Sequence, residues 1–202
     1  MKLQELLCEK EITIDLFNKK LQGNLLKIKQ YYNWGITLSG DFLINNNELT
    51  SLEGMPDNVI GTVNCSYNKL TDLKGCSLSI GKSFICKHNL IDNLLYTPKY
   101  IRGDFDLSDN KITQLKDIHK SLHTVKGKII LSNNPISAHI SDLVKIDGLQ
   151  EVVYTGNNKK AEEAFEILNK YLVKNESFNW LGEQLNTDIE QELISKGLEE
   201  FI

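Results

Sequence analysis

At 202 residues, 41% hydrophobic and 25% charged, the chain has the balance of an ordinary folded protein, which excludes disordered and fibrous classes. A formal net charge of −4 provides no broad basic field for phosphates and argues against duplex nucleic acid or an anionic membrane as partner. The first residues lack a secretory pattern and no run of roughly eighteen apolar residues follows, so a cytoplasmic protein with its four cysteines reduced is expected.

Residues 1–35 carry leucines at helical spacings together with Tyr31, Tyr32 and Trp34, which reads as an N-terminal helical cap. Lys27 and Lys29 beside those aromatics suggest a weaker alternative, stacking of single-stranded nucleic acid. A cap accounts for the same residues without a partner.

From residue 36 to 158 one pattern returns. Gly40 and Gly61, Phe42 and Val63, Ile44 and Cys65, Asn47 and Asn68, Leu49 and Leu70, Leu52 and Leu73 all stand 21 apart. A third unit continues through Phe84, Cys86, Asn89, Ile91 and Leu94, with Gly81 one residue early, which reads as a bulge. Phe105, Leu107, Asn110, Ile112 and Leu115 form a fourth; Ile129, Leu131, Asn134 and Ile136 follow 24 residues later. Val152, Tyr154 and Asn157 are a degraded sixth copy. A fixed period of this kind marks an array of stacked units, each burying its apolar face only against its neighbours. Alternation at Phe42 and Ile44 points both inward from a short strand, the chain turns at the asparagine, and Leu49 and Leu52 fill the interior from beyond. The period leaves no room for a full helix between strands, so extended or single-turn segments are expected there. The predicted fold is an α/β solenoid, a leucine-rich-repeat horseshoe of about five or six short parallel strands with helical N- and C-terminal caps.

In this register Cys65 shares an interior column with Ile44, Cys86, Leu107 and Leu131 and reads as a small buried hydrophobe. A Cys65–Cys86 disulfide between adjacent coils is sterically conceivable, but a reducing compartment argues against it. Adding Cys76 and His88 matches no zinc-ligand spacing. Asn47, Asn68, Asn89, Asn110 and Asn134 form a ladder whose amides bond backbone groups of their own and the adjacent coil. The column of Asn46, Tyr67, His88, Asp109 and Asn133 is variable, and no structural demand is read from it.

Function is then expected on the outward columns. The partner-binding candidates are Asp41, Leu43, Asn45, Asn64, Ser66, Ile85, Lys87, Asp104, Asp106, Ser108 and Ile130, aliphatics with a polar rim on the concave sheet. Asp104 and Asp106 near His88 and Lys87 lack an accompanying nucleophile or phosphate loop. A non-enzymatic protein-binding module with no cofactor and no metal is the resulting expectation.

Residues 159–202 change character. Ala161, Ala164, Phe165, Leu168, Tyr171 and Leu172 form an amphipathic helix; Thr187 and Glu190 read as a capping box opening a second helix ended by Gly197. These helices suit a C-terminal cap, with homodimerisation or regulation of a partner enzyme as the alternative.

The units GDFLINNNELTSLEGMP and GTVNCSYNKLTDLKG resemble the short leucine-rich repeats of T-even-like bacteriophages and some bacteria. The likeness covers residues 38 to about 136. It implies protein binding and, for a phage source, a product that inhibits or redirects a host or host-defence protein in the host cytoplasm.

Overall fold

In the computed structural model of the chain, residues 12–13, 37–174 and 182–202 are described. Short parallel strands stack into a solenoid of about six turns. Strands β3 (Phe42–Leu43), β5 (Val63–Asn64), β7 (Phe84–Ile85), β9 (Phe105–Asp106), β11 (Lys128–Ile130) and β12 (Glu151–Val153) form a seven-stranded sheet with β1 (Ile12–Thr13) at its edge. Their register places Phe42, Val63, Phe84, Phe105, Ile129 and Val152 side by side in one interior row. Phe84 and Phe105 stack with ring centroids 5.3 Å apart. Each buried ring of this row removes enough apolar surface from water to stabilise the array by about 1.5–3 kcal/mol.

A second sheet of five strands runs alongside: β2 (Thr37–Leu38), β4 (Asn58–Val59), β6 (Ser79–Ile80), β8 (Tyr100–Ile101) and β10 (Thr124–Val125). The sequence reading expects extended or single-turn segments here but does not pair them into a sheet. Leu38, Val59, Ile80, Ile101 and Val125 pair in register and are buried, giving the core a second wall. The three extra residues of the 24-residue step are taken up around a helical turn at Ile118–Ser121, just before this sheet resumes.

Gly81 is not a bulge. Val59↔Ile80 and Val63↔Phe84 keep the same register on both sides of it. Glycine is required because neighbouring coils touch there: a Cβ on Gly81 would lie 2.2 Å from the Ile60 carbonyl oxygen, and one on Gly61 2.5 Å from that of Gly40.

From Asn68 to Asn134 the asparagine ladder is built as its spacing predicts, whereas the Asn47 amide donates to the Asn45 carbonyl and its buried Oδ1 has no partner among the described residues. The Asn68 carbonyl oxygen accepts the N–H groups of Asn47 and Leu49, both at 2.9 Å, while its amide donates to the Ile44 and Cys65 carbonyls. Asn89, Asn110 and Asn134 repeat this, accepting from Leu70, Ile91 and Ile112. Each side chain therefore pairs backbone groups that two turning coils would otherwise bury unbonded. The sixth copy departs from it: Val152 and Tyr154 hold the register, but Asn157 is exposed, and Asn158 instead donates to the Ile136 carbonyl and accepts from Ala161 N–H.

The column treated as variable has a backbone constraint. Asn46, Tyr67, His88, Asp109 and Asn133 all sit at φ between 52° and 58°, the left-handed region. Asn, Asp and His tolerate that region best among L-residues, which explains three of the four residue types present.

Beyond β12 come helices α1 (Lys159–Lys174) and α2 (Gly182–Ser195). Ala161, Ala164, Phe165, Ile167, Leu168 and Leu172 are buried, Phe165 packs 4.8 Å from the Tyr154 ring, and Asn169 bonds both the N–H and the carbonyl of Val152 at 2.8 Å. A helix side chain thus substitutes for a further strand at the sheet edge. Because α2 begins at Gly182, Thr187 and Glu190 lie inside it and form no capping box. Gly197, at φ 70°, follows its last turn as expected. The predicted helical N-terminal cap and its aromatics lie outside the described residues, apart from Ile12–Thr13, which pair as a strand with Phe42–Leu43 and not as part of a helix.

Candidate functional site on the seven-stranded sheet

Pleating turns every second side chain of these strands away from the core. Leu43, Asn64, Ile85, Asp106, Ile130 and Val153 accordingly form one continuous outward row, each half-buried and each paired in register with the next. Aliphatic and polar residues alternate along its first five positions.

The other candidates divide. Asp41 and Asp104 lie beside the row, but their carboxylates accept the N–H groups of Thr62 at 2.7 Å and Lys128 at 2.8 Å, tying coil to coil. Asn45 and Lys87 are half-buried, and Lys87 makes no ion pair among the described residues. Ser66 and Ser108 are only 2% and 9% exposed, against the expectation that they face outward. Both bend back onto the row: Ser66 N–H donates to Asn64 Oδ1, and Ser108 donates to Asp106 Oδ1 through N–H at 3.0 Å and hydroxyl at 2.6 Å.

Charges around the row are mostly matched internally. Lys82 faces Asp41 at 3.8 Å, and Lys128 meets Glu151 at 2.6 Å, a hydrogen bond that holds the Lys128 ammonium protonated above its ordinary range. His88, one coil from Asp106 in sequence pattern, pairs instead with Asp109 at 3.3 Å and stacks against Tyr67 with centroids 4.4 Å apart. Sequence reasoning missed this stacked edge of Tyr67, His88, Asp109 and Asn133, the last donating to Asp109 Oδ1 at 2.9 Å. Their common 21- or 24-residue spacing was the available signal.

Beneath the row, Cys65 and Cys86 are buried free thiols with sulfurs 2.9 Å apart. Burial, then the Cys65 thiol beside it, pushes the Cys86 thiol well up, so it stays protonated and behaves as a hydrophobe. Among the described residues no group of three or more His, Cys, Asp or Glu is placed to hold a metal ion, and no helix is long and apolar enough to cross a membrane. In comparison with known proteins, the chain matches no family model, no curated protein and no solved structure.

Proposed function

We propose that the chain is a non-enzymatic interaction module that binds a partner protein across the outward row Leu43, Asn64, Ile85, Asp106 and Ile130. The observation that carries this reading is an asymmetry of use. Interior columns are filled by the core and the asparagine column by backbone bonds, whereas Leu43, Ile85 and Ile130 are only partly buried and stand in register along one sheet face. Aliphatic side chains held in a row and rimmed by polar groups suit a protein surface better than a small molecule, because no concavity is needed to bury them. The resemblance of the repeat units to those of bacteriophages extends the reading to a viral product acting on a host or host-defence protein in the cytoplasm.

Ile85→Lys combined with Asp106→Lys tests it. Affinity purification from the native host, with partners identified by mass spectrometry, is expected to lose its specific partner with the double variant. Both side chains point away from the core, so circular dichroism should stay near wild type, with melting lowered only by the two Ser108 bonds that Asp106→Lys removes. A partner retained by the folded double variant removes the row from the reading.

A further inference from the structure

Asp106 occupies an unusual place in the outward row. Its neighbours in register are Ile85 on one side and Ile130 on the other, so a half-buried carboxylate stands between two branched aliphatic side chains. Its Oδ1 accepts two hydrogen bonds from Ser108, which uses both lone pairs and fixes the carboxylate rotamer. Oδ2 has no hydrogen-bond or ion partner among the described residues, although Lys87 and Lys128 stand in the adjacent coils. Lys128 is held by Glu151, and Lys87 leaves Asp106 unpaired.

A protein docked on this row would strip water from Asp106 along with the isoleucines. A desolvated carboxylate with an open oxygen is strongly unfavourable unless the arriving surface supplies charge and an N–H donor. We propose that Asp106 anchors a lysine side chain of the partner protein, its ammonium on Oδ2 and its methylene stem between Ile85 and Ile130. Lysine fits better than arginine because the guanidinium fork draws its advantage from two carboxylate oxygens, and here one is saturated. Strands two positions apart stand about 9–10 Å from each other, room for one unbranched stem lying between their side chains. This inference rests on the reading that the row meets a protein.

The test uses the whole chain and a capped pentapeptide, Ala-Leu-Lys-Leu-Ala, with norleucine, acetyl-lysine or arginine replacing lysine in control peptides. In titrations followed by methyl and amide NMR, the lysine peptide is expected to shift the Ile85 and Ile130 methyls and the Ser108 amide. Norleucine and acetyl-lysine peptides should bind about tenfold more weakly, with arginine between. Asp106→Asn keeps Oδ1 for Ser108, so it should preserve the fold, weaken the lysine peptide about tenfold and leave the norleucine peptide unchanged. Equal binding of lysine and norleucine peptides, indifference to Asp106→Asn, or no shift at these residues up to about 10 mM peptide overturns the anchor. If the purified partner binds Asp106→Asn as wild type yet is lost by the double lysine variant, the row remains the interface and only the anchor falls. If it binds both variants, the interface reading itself falls.

Discussion

Asn110 shows how much a single amide does in this array. It accepts from Ile91 N–H and donates to the carbonyls of Cys86 and Leu107, spanning three segments of chain. Asn110→Ala orphans those groups in the interior and should destabilise the protein by about 2–4 kcal/mol. At about 2–4 °C per kcal/mol for a chain of this size, the melting temperature should fall by roughly 5–15 °C. Asn157→Ala, at an exposed position outside the ladder, should change stability by less than about 0.5 kcal/mol. Equal melting of the two variants would show that the ladder bonds are not supporting the fold. A glycine pair makes the same contrast in backbone. Gly81→Ala drives a methyl into the Ile60 carbonyl and should cost about 2–4 kcal/mol, whereas Gly197→Ala meets nothing within 4 Å and carries only the left-handed penalty, about 1 kcal/mol. Denaturant titration of both variants separates the two terms. Asp142 contributes a pH term. Burial opposes its ionisation, but the Lys145 ammonium at 2.7 Å, the Asp117 N–H and nearby His119 outweigh it and hold the carboxyl below its ordinary range. A lowered folded-state pKa adds stability at pH above the unfolded value of about 3.9 and loses it as pH falls through the lowered one. Asp142→Asn should therefore flatten the acid limb of stability against pH while changing its shape little near neutrality.

Among the elements, α1 matters most for how the array ends. Its Asn169 satisfies Val152 on both backbone groups, so β12 meets a helix with its edge bonded. Asn169→Ala should speed exchange of the Val152 amide by about tenfold, equivalent to losing roughly 1–1.5 kcal/mol of local protection, while amides in β5 and β7 exchange as before. Unchanged exchange at Val152 would mean that packing of Phe165 and Leu168 alone closes that edge. Element boundaries also divide what the sequence could reveal from what it could not. Six strands of the seven-stranded sheet were legible because Phe42 and Ile44, Phe84 and Cys86, Phe105 and Leu107 alternate around one outward residue, whereas Ile12–Thr13 lay in a stretch read as helical. The five-stranded sheet was not, although Leu38, Val59, Ile80 and Ile101 keep the same 21-residue step. Each of its strands presents a single inward aliphatic beside a polar neighbour, too short a stretch for alternation to register. In the candidate site, the row itself followed from alternation alone. The burial of Ser66 and Ser108 did not, because a small hydroxyl can fold back onto the protein, Ser66 onto the Ile85 carbonyl and Ser108 onto Asp106, where a longer side chain would have stood in water. Thr187 was misread for a related reason: a capping pattern inside a helix is indistinguishable in sequence from one at its start.

Considered whole, the molecule is close to one-dimensional: each coil is bonded and packed to the coil before and the coil after it, with equivalent residues exchanging equivalent bonds. That equivalence makes length adjustable in whole units only. Deleting residues 63–83 joins Thr62 to Phe84 and brings Phe42 against Phe84, Ile44 against Cys86 and Leu49 against Ile91, all inward pairs of matching character, with Asn89 placed to accept the N–H groups that Asn68 had accepted. The shortened chain should fold, with a denaturant m-value reduced in proportion to the surface its missing coil had buried and a lower unfolding midpoint. Deleting residues 63–72 alone removes about half a coil and sets strand positions against arc positions, Ile44 against exposed Gly75 and Asn47 against exposed Leu78, which removes the ladder amide from that coil, so no cooperative transition is expected. Guanidinium titrations of the two deletions, read by circular dichroism, give opposite outcomes if stacking between equivalent columns is what specifies the fold. Cooperative unfolding of the half-coil deletion, or none from the whole-coil deletion, would show that contacts outside the repeat register set the structure.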